Sequence, residues 1–345
     1  MNTSITFQAR LLVGGNCKKD LCKIEKIIEG NEMKIIAVVV TYNRKKLLVE
    51  CLEAIQSQSY KVDKIILIDN ASTDGTYSYL KNEGCLNEQV DYICLPSNIG
   101  GAGGFYTGIR KAFVDGADWI WIMDDDTIPN ERALEAFLDS LNNIRGEISY
   151  LASSVFGING ESMNVPSIDT SCHEGVYTDW YRFLEHGVVK ITKATFVSLL
   201  INRKSIECCG LPCKDYFIWG DDTEYTIRIT QNYAPAYLIG SSTVIHKRNV
   251  TKPIFISDEE NLSRMRMHYY FVRNNLLNSR TYYGKGAVLK ATLSYLHVCW
   301  TILLQKEMKR IKIKTILKGI FDYYLKKYDV VAFKNRFDFN GQEQD

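Results

Sequence analysis

The stretch KIIAVVVTYNR, Lys34 to Arg44, runs through six consecutive apolar residues, five of them β-branched, and ends on polar ones. A run that is apolar throughout, instead of alternating, predicts a strand buried on both faces, as in a parallel sheet. Ile65 to Ile68, Tyr92 to Leu95 and Trp119 to Met123 repeat that pattern, and between them Arg44 to Gln56, Gly75 to Asn82 and Gly104 to Asp115 have the length and spacing of helices. Strand alternating with helix implies right-handed crossovers in an open α/β sheet. Beyond Asn143 the alternation weakens. Ser149 to Phe156, Thr195 to Ile201 and Ala236 to His246 read as further strands, and from Met265 to about Lys334 the pattern is helical.

Around this frame, 345 residues with 46% hydrophobic and 24% charged residues exclude disordered, collagen-like and disulfide-scaffold classes. With 42 basic and 40 acidic residues the net charge is +2, so there is no global field for nucleic acid. The balance is uneven along the chain. Lys306 to Arg336 holds ten Lys or Arg against three acids, a net of +7, interleaved with apolar residues at near-helical spacing. Such a basic amphipathic segment suits an anionic membrane surface, and equally a helix packed on the main domain or on a partner subunit. The ten cysteines are scattered without a CxxC pair, as expected of reduced thiols in the cytoplasm. Residues 1 to 33 lack a signal-peptide pattern and precede the first core strand, which predicts an extension that the fold can spare. Ala287 to Leu304 comes nearest to a membrane-spanning run but carries Lys290 and His297.

Ligands of open α/β sheets gather at the carboxyl ends of the strands. There the sequence reads Thr41 to Arg44, then DNAS at Asp69 to Ser72, then PSNIGGAGGF at Pro96 to Phe105, then Asp124, Asp125 and Asp126. Four polar or glycine-rich tips on one rim point to a site. In an extended chain Asp124 and Asp126 face one side and could share a hard cation such as Mg²⁺ or Mn²⁺, while Asp125 points elsewhere; the alternative is a solvated acidic turn. The glycine run allows close backbone approach to an anion, or simply a tight strand-to-helix turn. It departs from the dinucleotide fingerprint, and no P-loop motif occurs. Asp69 could cross the rim to a base or ribose, or end a strand. A second acidic group, Asp221, Asp222 and Glu224, could supply a base; Arg228, four residues beyond Glu224, offers an ordinary helical ion pair instead. His246 closes an apolar run and reads either as a packed residue or as a ligand.

Taken together, VVVTYNR (38–44), LIDNASTDGT (67–76), SNIGGAGGF (97–105), WIMDDDTIP (121–129), WGDDTEYTIR (219–228), VIHK (244–247) and HYYFVRNNL (268–276) resemble a family-2 glycosyltransferase of the GT-A fold. Within that family they are most similar to bacterial galactofuranosyltransferases, with rhamnosyltransferases second. The resemblance implies a Rossmann-like open mixed sheet with flanking helices, a catalytic domain over 34–260 and a basic helical region over 261–345. It implies an inverting transfer of galactofuranose from UDP-galactofuranose to a hydroxyl of a lipid-linked surface polysaccharide. A rhamnosyltransferase using dTDP-rhamnose is the near alternative, and a non-transferase phosphate-binding or hydrolytic protein is the alternative of another class.

Laid on matching positions, the resemblance gives nucleotide and donor contacts to Thr41, Tyr42, Asn43, Arg44, Asp69 and Asp125, and to Asn98, Gly100, Gly101, Gly103 and Gly104. It gives the metal, Mn²⁺ or Mg²⁺, to Asp124, Asp126 and His246. Asp222 becomes the general base, Asp221 and Glu224 orient the acceptor, and Trp219 offers it a stacking face. One residue separates Trp219 from the acidic pair, so Asp221 competes with Asp222 for the role of base. The expected setting is the cytoplasm, with the cytoplasmic face of the inner membrane and peripheral contact through the basic helices as one option within it, no nucleic acid and a homo-oligomer as one mode of assembly.

Overall fold

In the computed structural model, residues 33–172, 175, 177–248, 255–305 and 307–326 are described. The expected extension, but for Met33, and the tail past Lys326 therefore lie outside the described residues. Met1–Lys34 and Ile35–Asp345 group as separate units, and every described strand and helix belongs to the second.

The first half alternates as read: β1 (Ile35–Thr41), α1 (Lys45–Gln56), β2 (Lys64–Asp69), α2 (Thr76–Asn82), β3 (Val90–Cys94), α3 (Gly100–Val114) and β4 (Trp119–Asp124). A short β5 (Thr127–Pro129) and α4 (Ala133–Leu141) lead to β6 (Tyr150–Phe156), β7 (Ser162–Met163), β8 (Ser167–Ile168), β9 (Val188–Lys193) and β10 (Ser198–Asn202). Then come α5 (Arg203–Cys209), α6 (Asp221–Asn232) and β11 (Ala236–His246), followed by three C-terminal helices, α7 (Leu262–Asn278), α8 (Gly284–Leu303) and α9 (Lys309–Tyr324). The sheet order is β3-β2-β1-β4-β10-β6-β11-β9-β8, with β5 on β11 and β7 on β6. Strands β1 to β4 pair in parallel, whereas β10 is antiparallel to both β4 and β6. This is the open mixed sheet expected.

All seven residues of β1 are buried because helices cover both sides of the sheet. On one side, Leu48, Cys51, Leu52 and Ile55 of α1 and Phe137 of α4 pack on the alternate residues Ile35, Ala37 and Val39. On the other, Ile36, Val38 and Val40 meet Phe105 and Ile109 of α3. Side chains of alternate parity on one strand thus feed two cores. A third apolar cluster joins α7, α8 and α9.

The helix expected from Gly104 begins four residues earlier, at Gly100, so the glycine run is its first turn rather than a loop. Low helix propensity argues against that reading of the sequence, but packing reverses it. A Cβ on Gly104 would lie 2.5 Å from Val40 Cγ1, so α3 can sit against β1 only if that face lacks side chains. Gly100, at φ +78°, lies under the Phe217 carbonyl, where a Cβ would come within 2.0 Å of the oxygen.

Candidate active site

Pairing register puts the strand tips side by side. Thr41 is opposite Asp69, Val40 opposite Asp124, and Asp69 opposite Cys94. Short polar bridges lock the tips together. Asn43, at φ 56°, receives Thr73 N–H on its Oδ1 at 2.7 Å and donates its own N–H to Ser72 Oγ at 2.9 Å. Asn70 Nδ2 donates to the Gly100 carbonyl, and its Oδ1 accepts from Ile99 N–H, both at 2.9 Å. Asn98 Oδ1 accepts from Gly100 N–H at 2.8 Å. Asp69 is buried, with Ser72 N–H on one oxygen and the Tyr92 hydroxyl on the other. Tyr42 stands exposed at the same rim. Of the glycines, Gly103 and Gly104 back onto Ile99 and Val40, while Gly101 faces open space.

The three aspartates after β4 diverge. Asp125 turns inward and accepts from Thr41 Oγ1 at 2.7 Å. Asp126 accepts from Arg44 Nη1 at 2.5 Å, and the same nitrogen lies 3.3 Å from Asp125. Antiparallel pairing of β5 with β11 sets His246 opposite Thr127, and Lys247 N–H donates to the Asp126 carbonyl. This brings a histidine 120 residues away in sequence to 3.0 Å from Asp126 Oδ1. Ligand atoms of Asp124, Asp126 and His246 all lie within 4.8 Å of one another.

The donor set suits a hard divalent cation. His246 Nδ1 lies 2.9 Å from Asn164 Oδ1. When it donates there, Nε2 turns a lone pair toward a carboxylate, a pairing that needs a proton or a cation between the two acceptors. Charge argues the same way. Burial, then the Asp126 and Asp125 carboxylates, push the Asp124 pKa well above the usual range, and Asp221 adds to this while Arg44 opposes it. Burial lifts Asp125 to about 6 against the pull of Arg44. For Asp126 burial acts upward too, but His246 and Arg44 prevail and hold it below its ordinary value. Beneath the cluster, burial and the same carboxylates raise the Cys51 thiol, which keeps it protonated. Cys51, Cys85, Cys94, Cys208, Cys209, Cys213 and Cys299 are free thiols.

The second acidic group opens α6, where a helix N-terminus favours carboxylates. Burial and the Asp222 charge raise Asp221 to about 8. Asp222 is less enclosed; burial raises its pKa, while hydrogen bonds from Thr223 and the charge of Lys193 work the other way. The Asp221 charge also adds to the rise at Asp124. Glu224 is set apart from the two aspartates by its partners. It is fully buried, and its oxygens are taken by Arg228 Nε at 2.8 Å, Arg228 Nη2 at 3.1 Å and the Tyr282 hydroxyl at 2.8 Å. The helical ion pair with Arg228 that the sequence allows is thus formed, and it sits wholly inside the protein.

The loop before α6 is held in an unusual shape. Phe217, Trp219 and Gly220 have φ of 64°, 62° and 95°, a region costly for the two aromatic residues. Helix α7 pins this loop. Asn274 Nδ2 lies 3.0, 3.1 and 2.7 Å from the carbonyls of Tyr216, Ile218 and Trp219. Arg273 Nη2 donates to the Asp215 carbonyl at 2.9 Å, and Asn278 Nδ2 to that of Gly220 at 2.9 Å. Trp219 packs beside His268 and Phe271, with Phe217 stacked on Tyr270. Of the other aromatics, Tyr177 and Tyr181 are exposed, whereas Phe183 packs on Tyr237 and Tyr216 is fully buried. Reading the sequence assigned no role to Arg273, Asn274, Asn278 or Asn164. For Arg273 and Asn274 the signal was present: they open the Arg-Asn-Asn run 273–275 in an aromatic-rich helix, whose polar groups need hydrogen-bond partners when buried.

Against this geometry, the profile of Glycosyl transferase family 2 matches residues 36–191. Over those residues the chain carries a family-2 glycosyltransferase domain. That match takes in the tips of β1 to β4 and stops before the acidic pair on α6 and before His246. The galactofuranosyltransferase GlfT1 of Mycolicibacterium smegmatis is 39% identical over 95 residues, 28% of this chain and 30% of that protein. GlfT1 of Mycobacterium tuberculosis is 36% identical over 94 residues, 27% of this chain and 30% of that protein. The likeness thus spans about 30% of the length of these curated relatives. In three dimensions the chain is similar to GalNAc-T7, solved with UDP, GalNAc and Mn²⁺, with a TM-score of 0.51 and 16% identity over 74% of this chain and 54% of that one. This shows the fold, GT-A.

Proposed function

We propose that this chain transfers a sugar from a nucleoside diphosphate to a hydroxyl of a glycan acceptor, with galactofuranose from UDP-galactofuranose as the donor and a lipid-linked surface polysaccharide as the acceptor. One observation supports the reading: Asp124, Asp126 and His246, brought together from segments 120 residues apart, hold ligand atoms within 4.8 Å of one another at the strand tips, and the charge of Asp221 in the second acidic group reaches Asp124. The partial likeness to two galactofuranosyltransferases supports the sugar.

In this reading Thr41, Tyr42, Asn43, Arg44, Asp69 and Asp125 hold the nucleotide, and Asn98, Gly100 and Gly101 border the donor sugar. Asp124, Asp126 and His246 hold Mn²⁺ or Mg²⁺, which when bound neutralises charge on the departing diphosphate. Asp222 accepts the acceptor hydroxyl proton as the new bond to the anomeric carbon forms and the bond to the diphosphate oxygen breaks. Such general-base work contributes typically ~10²- to 10⁴-fold. Asp221, protonated at neutral pH, donates a hydrogen bond without competing for that proton. Trp219 offers a flat apolar face to the acceptor ring. Displacement from the opposite face inverts the anomeric configuration.

A calorimetric screen of UDP- and dTDP-sugars with Mn²⁺, followed by transfer to a lipid-linked acceptor mixture, tests this. UDP-galactofuranose should bind and be consumed. Preference for dTDP-rhamnose would replace the sugar, and failure to bind any nucleotide sugar would remove the proposal.

A further inference from the structure

Helix α8 carries two apolar stripes, one buried and one exposed, with Lys290, Ser294 and His297 exposed beside the second. Its inner face, with Val288, Tyr295, Cys299 and Ile302, packs into the cluster shared with α7 and α9. Its outer face carries Leu289, Leu293, Leu296, Trp300 and Leu303, each between 44% and 59% exposed, and ends at Leu304, 74% exposed. An exposed apolar stripe beside a packed inner face calls for an apolar neighbour of its own. The end of α9 neighbours α8, with Thr292 Oγ1 3.0 Å from the Tyr324 hydroxyl, and there Phe321, Tyr324 and Leu325 are all more than half exposed. A patch of this extent on a folded chain marks an interaction surface.

We infer that the outer face of α8, with the end of α9, docks in the plane of an anionic lipid bilayer. The helical run Leu262–Leu303 is long and apolar enough to cross a membrane by length and composition. It cannot do so here, since the inner face is committed to the protein core; only half immersion leaves that core intact. Charge selects the occupant. Residues 284–326 contain nine Lys or Arg against two acids, Glu307 and Asp322, and Asp322 already accepts from Lys318 and Tyr269. A second copy would set one strongly basic face against another, whereas anionic headgroups match it. Lys285, Lys290, Lys309, Arg310 and Lys314 are exposed around the stripe, as interfacial helices require, and Trp300 suits the headgroup level. This docking does not depend on which reaction the sheet rim performs.

The test is flotation of the full chain with vesicles of phosphatidylcholine alone and of phosphatidylcholine with phosphatidylglycerol, at low and high salt. Wild type should float with the anionic vesicles and detach as salt rises. Leu293→Glu with Trp300→Glu should weaken flotation at least ~10-fold, and Lys309→Gln with Arg310→Gln and Lys314→Gln should weaken it on anionic vesicles. Both apolar sites are exposed, so thermal melting should stay unchanged; if it does not, Trp300→Ala replaces the charged pair. Flotation of the stripe variants equal to wild type would overturn the inference. So would a wild type that never floats and sediments as a dimer which the same variants dissociate, or flotation seen only after deletion of residues 1–32, which would make that segment the occupant of the face.

Discussion

At the residue scale the adjacent aspartates Asp221 and Asp222 have unlike environments. Asp221 is enclosed and its charge reaches Asp124, whereas Asp222 is more open and feels Lys193. If Asp222 is the base, Asp222→Asn should cut transfer by at least ~10² while UDP affinity stays within a few fold. Asp221→Asn, which mimics a group already protonated, should stay within ~10-fold of wild type; initial rates and calorimetry separate the two. The sign of the pH effect on stability follows from Asp221. Its folded pKa of about 8 is above the unfolded value of about 3.9, so its contribution is fully present below about pH 3.9 and is lost as pH rises through about 8. Urea midpoints of metal-free protein should therefore fall relative to Asp221→Asn between about pH 4 and 8, then run parallel. Glu224→Gln breaks a buried pair with Arg228 and should cost on the order of 3–5 kcal/mol in urea unfolding, with the turnover of the folded fraction nearly intact.

At the element scale, α3 and α7 carry the site. Glycines let α3 lie against β1 and slide under Phe217, and α7 reaches across with Arg273, Asn274 and Asn278 to fix the strained loop that leads into α6. Asn274→Ala should leave two or three buried carbonyls without their donor, at about 1–3 kcal/mol. Hydrogen exchange over 215–222 should rise and transfer should fall at least ~10-fold, with UDP binding unchanged. These elements also mark where the sequence stops being informative. The strand tips were legible because a polar residue directly after a fully apolar run has few places to go other than a sheet rim. The start of α3 was not, since glycine disfavours helix locally and only the shape of β1 reverses that. Asn164 beside His246, and the α7 amides on the 216–220 carbonyls, depend on contacts between distant segments that spacing does not encode.

At the scale of the whole molecule, two cores grip the sheet and a third holds the C-terminal helices, with α7 as the shared piece that touches both the acidic loop and the cluster beneath α8. The near-neutral total charge resolves into acidic groups at the rim and a basic C-terminal region, an arrangement suited to a donor that brings a diphosphate and a metal, and to an acceptor carried at a membrane. Acceptor-dependent sugar transfer at that rim is the activity these parts would jointly serve. It is read most directly as UDP release from UDP-galactofuranose with Mn²⁺, with and without a lipid-linked glycan acceptor, in wild type and Asp222→Asn. Release should rise at least ~10-fold with acceptor in wild type and not in the variant; release that ignores the acceptor, or is equal in both proteins, would contradict transfer by Asp222 at this site.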